Sequence, residues 1–304
     1  MEEFESPPFW VLLSSYWNYM LLTVVGYFRD FLRFNNIEQN RGAQEMVKMQ
    51  HFTPLYDSFA GFFTRNIYMR LRDAFNRPIS SVPRDTFDLM DRVTPDSNWT
   101  FQLTGHVRNV INLGSYNYLG FAASTGTCAE GAIKVTTDQG LALGSSRAEM
   151  GTSSVHQTLE KKWSQFLGVE DSITFGMGFA TNSMNIPALV GPGSLILSDE
   201  LNHASLVLGC RLSGAKVMIY KHNDTKQLEQ ILRRVIVTGQ ERTFRPYKKI
   251  LIIVEGIYSM EGSIVSLKKI IELKKKYKAY LYVDEAHSIG ALGETGRGVV
   301  EETG

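Results

Sequence analysis

Residues 6–28, SPPFWVLLSSYWNYMLLTVVGYF, carry no Asp, Glu, Lys or Arg and are long enough to cross a bilayer as one helix. Trp10, Tyr16, Trp17, Tyr19 and Tyr27 supply interfacial aromatics, while Ser14, Ser15, Asn18 and Thr23 keep the run only moderately apolar. A signal peptide would place basic residues ahead of such a run and a small-residue cleavage site behind it. Here Glu2, Glu3 and Glu5 precede it, and Arg29, Asp30 and Arg33 follow. The pattern predicts an uncleaved transmembrane anchor within residues 1–30, and Arg29, Arg33 and Arg41 put the main body on the cytosolic side.

Residues 31–109 read as juxtamembrane helices and a linker. Leu55, Phe59, Phe63, Ile67, Leu71 and Phe75 step by four, an apolar helical stripe with Arg65, Arg70, Arg72 and Asp73 left for the other side. Such a stripe suits either the membrane interface or packing within the protein, and spacing alone does not separate the two. Pro78 and Pro83 in PISSVPRD mark a linker. Asn98-Trp99-Thr100 fits a glycosylation sequon, which a cytosolic body would not expose to that machinery.

From residue 110 to 304 the pattern becomes α/β. SITFGMG, SLILSDE, KVMIYKH, KKILIIVEG and AYLYVDEA are short β-rich runs, and SVHQTLEKKWSQFLG, TKQLEQILRRVIV and SLKKIIELKKKY are helical stretches between them. Strands alternating with helices predict crossover connections and a mainly parallel sheet covered on both faces, with ligands at the carboxyl ends of its strands. The KKKYK run at 274–278 is a solvated helix end, its cations near the negative pole of the helix dipole.

Composition narrows the classes. With 32 Lys+Arg against 31 Asp+Glu and 43% apolar residues, the chain is neither disordered nor marked for a nucleic-acid backbone. Cys128 and Cys210 form no CxxC pair and no disulfide framework, which fits a reducing compartment.

Four strand ends carry candidate chemistry. In ITFGMGFATN, Gly176 and Gly178 free the backbone to turn, and the helix that follows opens with unpaired N–H groups, a phosphate cradle. His203 opens a helix after the strand-end pair Asp199-Glu200, and Ser259 sits in a glycine-flanked loop after an apolar strand. Asp284 closes another buried strand, where a carboxylate suits a protonated ring nitrogen; His287, three residues on, suits a phenolic oxygen.

Asp-Glu-Ala-His also occurs as the magnesium-binding strand of helicase-type ATPases. That chemistry needs a Walker A loop, and no Gly-Lys dipeptide occurs in the chain. The six histidines form no HxH or HxxxH pair and the cysteines are too few for a structural metal site.

NLGSYNYLGFA, HQTLEKKWSQFLG, GFATN, DELNHASL, EGIYSMEG and VDEAHSIGALGETGRG occur here in the order found in the α-oxoamine synthases, pyridoxal-phosphate enzymes of aminotransferase fold type I, and the chain from about residue 110 onward resembles that family. GMGFATNSMNIPALVGPG, LILSDELNHASLVLGCRLSGA and the amino-terminal span look most like its membrane-anchored branch, the serine palmitoyltransferases of subunit 2 type. The resemblance implies that Asp284 pairs with the pyridinium nitrogen, that His287 and Ser259 hydrogen-bond the phenolic oxygen, and that His203 stacks on the ring. It further implies that Gly178 and Phe179 offer N–H groups to the phosphate and that Asn117 and Tyr118 belong to a loop facing the substrate.

The implied reaction condenses L-serine with a long-chain acyl-CoA and releases CO2, leaving a 3-ketosphinganine. It implies a heteromer with a related subunit 1-type partner, the endoplasmic reticulum membrane as location, and no nucleic acid. Covalent pyridoxal-phosphate chemistry needs a lysine, which in the family lies beyond the DEAH histidine, and no lysine follows Lys278 here. A carboxy-terminally truncated, catalytically incomplete chain is the expectation, with a noncatalytic scaffold or another α-oxoamine synthase as alternatives.

Overall fold

The computed structural model describes residues 7–49, 51–53, 57–117 and 120–304, in two compact units that divide between Ala142 and Leu143. The first unit begins with helix α1 (Phe9–Phe34), followed by α2 (Arg41–Lys48). At about 1.5 Å per residue, α1 is some 39 Å long, enough to cross a hydrocarbon core. Its apolar side chains are mostly exposed, and only Gly26 and Arg33 of the helix are buried.

Helix α3 (Ser58–Phe63) is capped by the Asp57 carboxylate, which accepts from Phe59 N; it runs through a π turn (Thr64–Tyr68) into α4 (Met69–Leu71). That turn inserts a residue, so the face that packs is not the four-step stripe. Phe62, Asn66, Ile67 and Met69 are buried, while Phe59, Phe63, Leu71 and Phe75 stay exposed, and Leu55 lies outside the described residues. Phe62 stacks on Tyr27 of α1 at 4.3 Å between ring centroids. Strands β1 (Thr86–Val93) and β2 (Gln102–Ile111) then form an antiparallel hairpin in the stretch expected to hold only helices and linker, and α5 (Thr127–Gln139) completes the unit.

The second unit opens with α6 (Ser154–Leu167). Ser153 and His156 form a reciprocal capping box at its start, and Gly168 in the left-handed region ends it. The chain continues through α7 (Gly178–Leu189), β3 (Leu195–Asp199), α8 (Ala204–Leu212), β4 (Lys216–Tyr220) and α9 (Thr225–Thr238). It then forms β5 (Ile250–Glu255), α10 (Leu267–Tyr277), β6 (Tyr280–Asp284) and α11 (Val299–Thr303).

The four strands lie in the order β4-β3-β5-β6, all parallel. Alternate residues feed two cores, as a sheet covered on both faces requires. Leu195, Leu197, Ile252 and Val254 pack with Leu228 and Leu232 of α9 and Ile270 of α10; Ile196, Leu251 and Ile253 pack with Ile186 of α7 and Leu206 and Cys210 of α8. The architecture is the expected fold type I, aminotransferase-like parallel α/β unit.

One expected strand does not form. Residues 172–175 pair with no strand among the described residues, because side chains take their backbone groups: Thr174 N donates to Glu160 Oε1 at 2.7 Å and Arg147 donates to Thr174 O at 2.7 Å. Arg147 in turn holds the Glu160 carboxyl at about 2, well below its ordinary range.

Candidate functional site

Three of the four strands end on a carboxylate: Asp199 on β3, Glu255 on β5 and Asp284 on β6. Parallel strands bring these ends to one edge, and Glu255 and Asp284 are direct register partners. Helices α7 and α8 start at the same edge, with their amino termini toward it.

Asp284 is half-buried and held on both oxygens: Oδ2 accepts from Asn182 Nδ2 at 2.6 Å, and Oδ1 accepts from Ala286 N at 3.0 Å. Asn182 sits on α7, one turn in from Gly178. Its amide also donates to Ser205 Oγ at 3.0 Å, and its carbonyl oxygen accepts from Tyr282 Oη at 2.7 Å. Ser205 Oγ lies 2.7 Å from His203 Nδ1, so one hydrogen-bonded path runs from the His203 ring through Ser205 and Asn182 to Asp284.

His203 is the N-cap of α8, its Nδ1 accepting from Ser205 N at 3.2 Å, and its ring is exposed. Phe179 meets that ring edge-on at 6.1 Å between centroids. The His203 backbone N–H donates to Glu255 Oε1, fixing the turn that carries the ring. Burial pushes the Glu255 carboxyl up to about 7; the His203 N–H opposes this, and the charges of Asp284, Asp199 and Glu261 add to it.

Gly178 is the first residue of α7, and the N–H groups of a helix's first turn have no partner within the helix. A Cβ built on Gly176 or Gly178 would meet nothing within 4 Å, so the space beside these amides is open. An anion there would meet backbone donors and the positive end of the helix dipole.

Beside this site, His222 joins the adjacent strand ends. Its Nδ1 lies 2.9 Å from Asp199 Oδ1 and its Nε2 2.8 Å from Ser263 Oγ, which ties the loop carrying Ser259 to β3. Ser259 itself is exposed in that loop, and His287 is half-buried in the turn after β6. Neither joins the Asn182 path. Asn117 lies in the first unit, where it donates to Pro83 O at 2.6 Å and accepts from Ala122 N at 3.0 Å; Tyr118 lies outside the described residues.

Asn182, Ser205, Glu255 and His222 escaped the sequence reading. For Glu255 and His222 the signal was present, a polar residue at or just past the end of an apolar strand. Asn182 and Ser205 lie inside the motifs GFATN and DELNHASL, but nothing in their spacing gave either a role.

Comparison with known proteins covers the stretch that carries these residues. The model of the class I and II aminotransferases matches residues 108–302. The chain is 58% identical over 302 residues to human serine palmitoyltransferase 3, covering 99% of this chain and 55% of that protein. It is 53% identical to Caenorhabditis elegans serine palmitoyltransferase 2, covering 99% of this chain and 54% of the relative. The chain thus spans about half the length of the curated relatives it matches. Among solved structures, the Sphingomonas wittichii serine palmitoyltransferase superposes with a TM-score of 0.67 at 29% identity, over 83% of this chain and 57% of that one. A structure described as SPT with PLP internal aldimine superposes with a TM-score of 0.65 at 29% identity, over 82% of this chain and 58% of that one.

Proposed function

The chain belongs to the class I and II aminotransferase family, and we propose that the complete protein is a pyridoxal-phosphate-dependent serine palmitoyltransferase. It would condense L-serine with a long-chain acyl-CoA and release CO2 to give a 3-ketosphinganine, the entry step of sphingolipid synthesis. The observation that carries this reading is the Asp284 carboxylate at the sheet's carboxyl edge, tied by one hydrogen-bonded path to α7 and to the exposed His203 ring.

The residues present fit pyridoxal phosphate. The open space at Gly176 and Gly178 faces helix amides suited to a phosphate, and Asp284 offers a fixed carboxylate to a ring nitrogen. When bound, that cofactor supplies a cationic ring that draws an electron pair from the substrate α-carbon. Asp284 keeps the proton on the ring nitrogen, because an ionised carboxylate beside it favours the charged form. Asn182 and the Ala286 amide hold that carboxylate in one orientation.

The amides of Gly178 and Phe179 bind the phosphate. The His203 ring would stack on the cofactor ring and orient the substrate carboxylate, and His287 and Ser259 would hydrogen-bond the phenolic oxygen.

The α1 helix anchors the protein in the endoplasmic reticulum membrane with its catalytic body in the cytosol. Such an anchor suits substrates and products with long alkyl tails, since each buried methylene contributes about 0.8 kcal/mol toward the bilayer. The complete protein pairs with a related subunit 1-type partner. The test is to co-express the complete protein with such a partner and measure CO2 release from carboxyl-labelled serine with palmitoyl-CoA. Release dependent on both substrates and on pyridoxal phosphate supports the reading; a transamination product without CO2 release contradicts it.

A further inference from the structure

Five arginines, Arg29, Arg33, Arg41, Arg65 and Arg70, line a cavity of about 560 Å³ in the first unit. They come from the last turns of α1, the start of α2, the π turn and α4. Asp30 and Glu38 hold three of them: Asp30 pairs with Arg33 at 2.8 Å and Arg65 at 3.1 Å, and Glu38 with Arg29 at 2.5 Å and Arg33 at 3.2 Å. The hydrogen bond from Arg29, against a smaller opposing effect of burial, keeps the Glu38 carboxyl below its ordinary value. Asp96 on the wall is the third carboxylate, so five arginines face three acids, a surplus of two positive charges.

The arginines are also underused as donors. Arg33 is 2% exposed, and its Nε, like that of Arg65, is buried without an acceptor. A buried N–H without a partner is costly, so these two guanidinium groups are not fully satisfied within the protein. Arg41 and Arg70 are exposed and enter none of the ion pairs above; Arg41 interacts electrostatically with Asp96 on the same wall, and the Arg70 guanidinium is open to a ligand.

We propose that this cavity binds the phosphate of an anionic glycerophospholipid headgroup. Guanidinium forks match phosphate oxygens, and the cavity's position selects a lipid as their source. From Phe9 to Phe28 the uncharged part of α1 spans about 30 Å, the thickness of a hydrocarbon core, and Arg29 is the next residue. The arginines therefore begin where hydrocarbon gives way to headgroups, on the leaflet that carries anionic lipid. This rests on reading α1 as a membrane anchor.

The test uses the complete protein, purified from nanodiscs of phosphatidylcholine containing a minority of phosphatidylinositol, with retained lipid identified by native mass spectrometry. Wild type should retain phosphatidylinositol in excess of its share of the bilayer. Arg41→Gln and Arg70→Gln, both exposed positions, should each weaken that preference about fivefold. Glu38→Gln, which removes a competing carboxylate but keeps an acceptor for Arg29 and Arg33, should strengthen it. No enrichment, or enrichment unchanged in the arginine variants, overturns the proposal, as does equal protection of detergent-solubilised protein against heat by inorganic phosphate alone. Carbonate extraction of the same protein separates the two readings: release from membranes refutes the anchor, whereas retention without lipid enrichment refutes only the cavity.

Discussion

Asn182 Nδ2 lies 2.6 Å from Asp284 Oδ2, joining the first turns of α7 to the end of β6. The same amide side chain serves Ser205 and Tyr282, so one buried residue orients three groups at the sheet edge. Replacing it with leucine keeps the volume but leaves the Asp284 oxygen and the Tyr282 hydroxyl without this partner. Asn182→Leu should cost about 1–3 kcal/mol of stability, measured by denaturant unfolding, and should weaken cofactor retention. Asn182→Asp should weaken retention further, because it sets a second carboxylate against Asp284.

Glu255 gives the second unit a pH dependence. Its carboxyl titrates near 7 when folded and near the ordinary 4.5 when unfolded, so between these values the folded chain binds more protons. The stability it contributes is full below about pH 4.5 and is lost as pH rises through about 7, some 3 kcal/mol in all. Glu255→Gln should flatten that part of the stability profile. An unchanged slope between pH 5 and 7.5 would assign the effect to another group.

The α1 contact with the π-bulged helix depends on a missing side chain. A Cβ on Gly26 would lie 2.7 Å from Phe62 Cζ and 3.1 Å from Asn66 Cβ. Gly26→Leu should therefore push α1 away from Phe62, costing about 1–3 kcal/mol and lowering the melting temperature of the detergent-solubilised protein. Gly26→Ala should cost less, since the Phe62 ring can shift by a few tenths of an ångström.

Anchoring is tested by extraction. The protein should stay with membranes through carbonate washing, deletion of residues 1–50 should release it, and protease added outside sealed microsomes should digest the part beyond residue 60. Protection of that part would reverse the orientation.

Much of the second unit was legible because its pattern is strong. SLILSD, KVMIY, ILIIVE and YLYVD are apolar runs that each form a strand, and three of the four end on a carboxylate at the edge that carries the candidate site. Where the reading failed, local competition decided. Residues 172–175 have strand-like composition, but Glu160 and Arg147 take their backbone groups. The β1–β2 hairpin was hidden because TFDLMDRV carries charge on both faces, QLTGHVRNVI is interrupted by Gly105, and β2 is exposed along nearly its whole length. The stripe at 55–75 is helical over Ser58–Leu71, but a π turn shifts the face that packs within the unit, which periodicity does not reveal. Asn182 lies in the quoted motif GFATN, but its bond to Asp284 joins positions 102 residues apart and follows only from the packing of α7 against β6.

The central claim is that Asp284 holds a proton on a pyridine nitrogen, and the most direct measurement is the 15N chemical shift of ring-labelled pyridoxal phosphate in the complete protein. In wild type the shift should be that of a protonated ring nitrogen across neutral pH. In Asp284→Asn, loaded with cofactor to the same occupancy, it should move to the unprotonated value, since a neutral amide does not hold the ring cation. A ring nitrogen unprotonated in wild type, or equally protonated in both proteins, would contradict the assignment of Asp284.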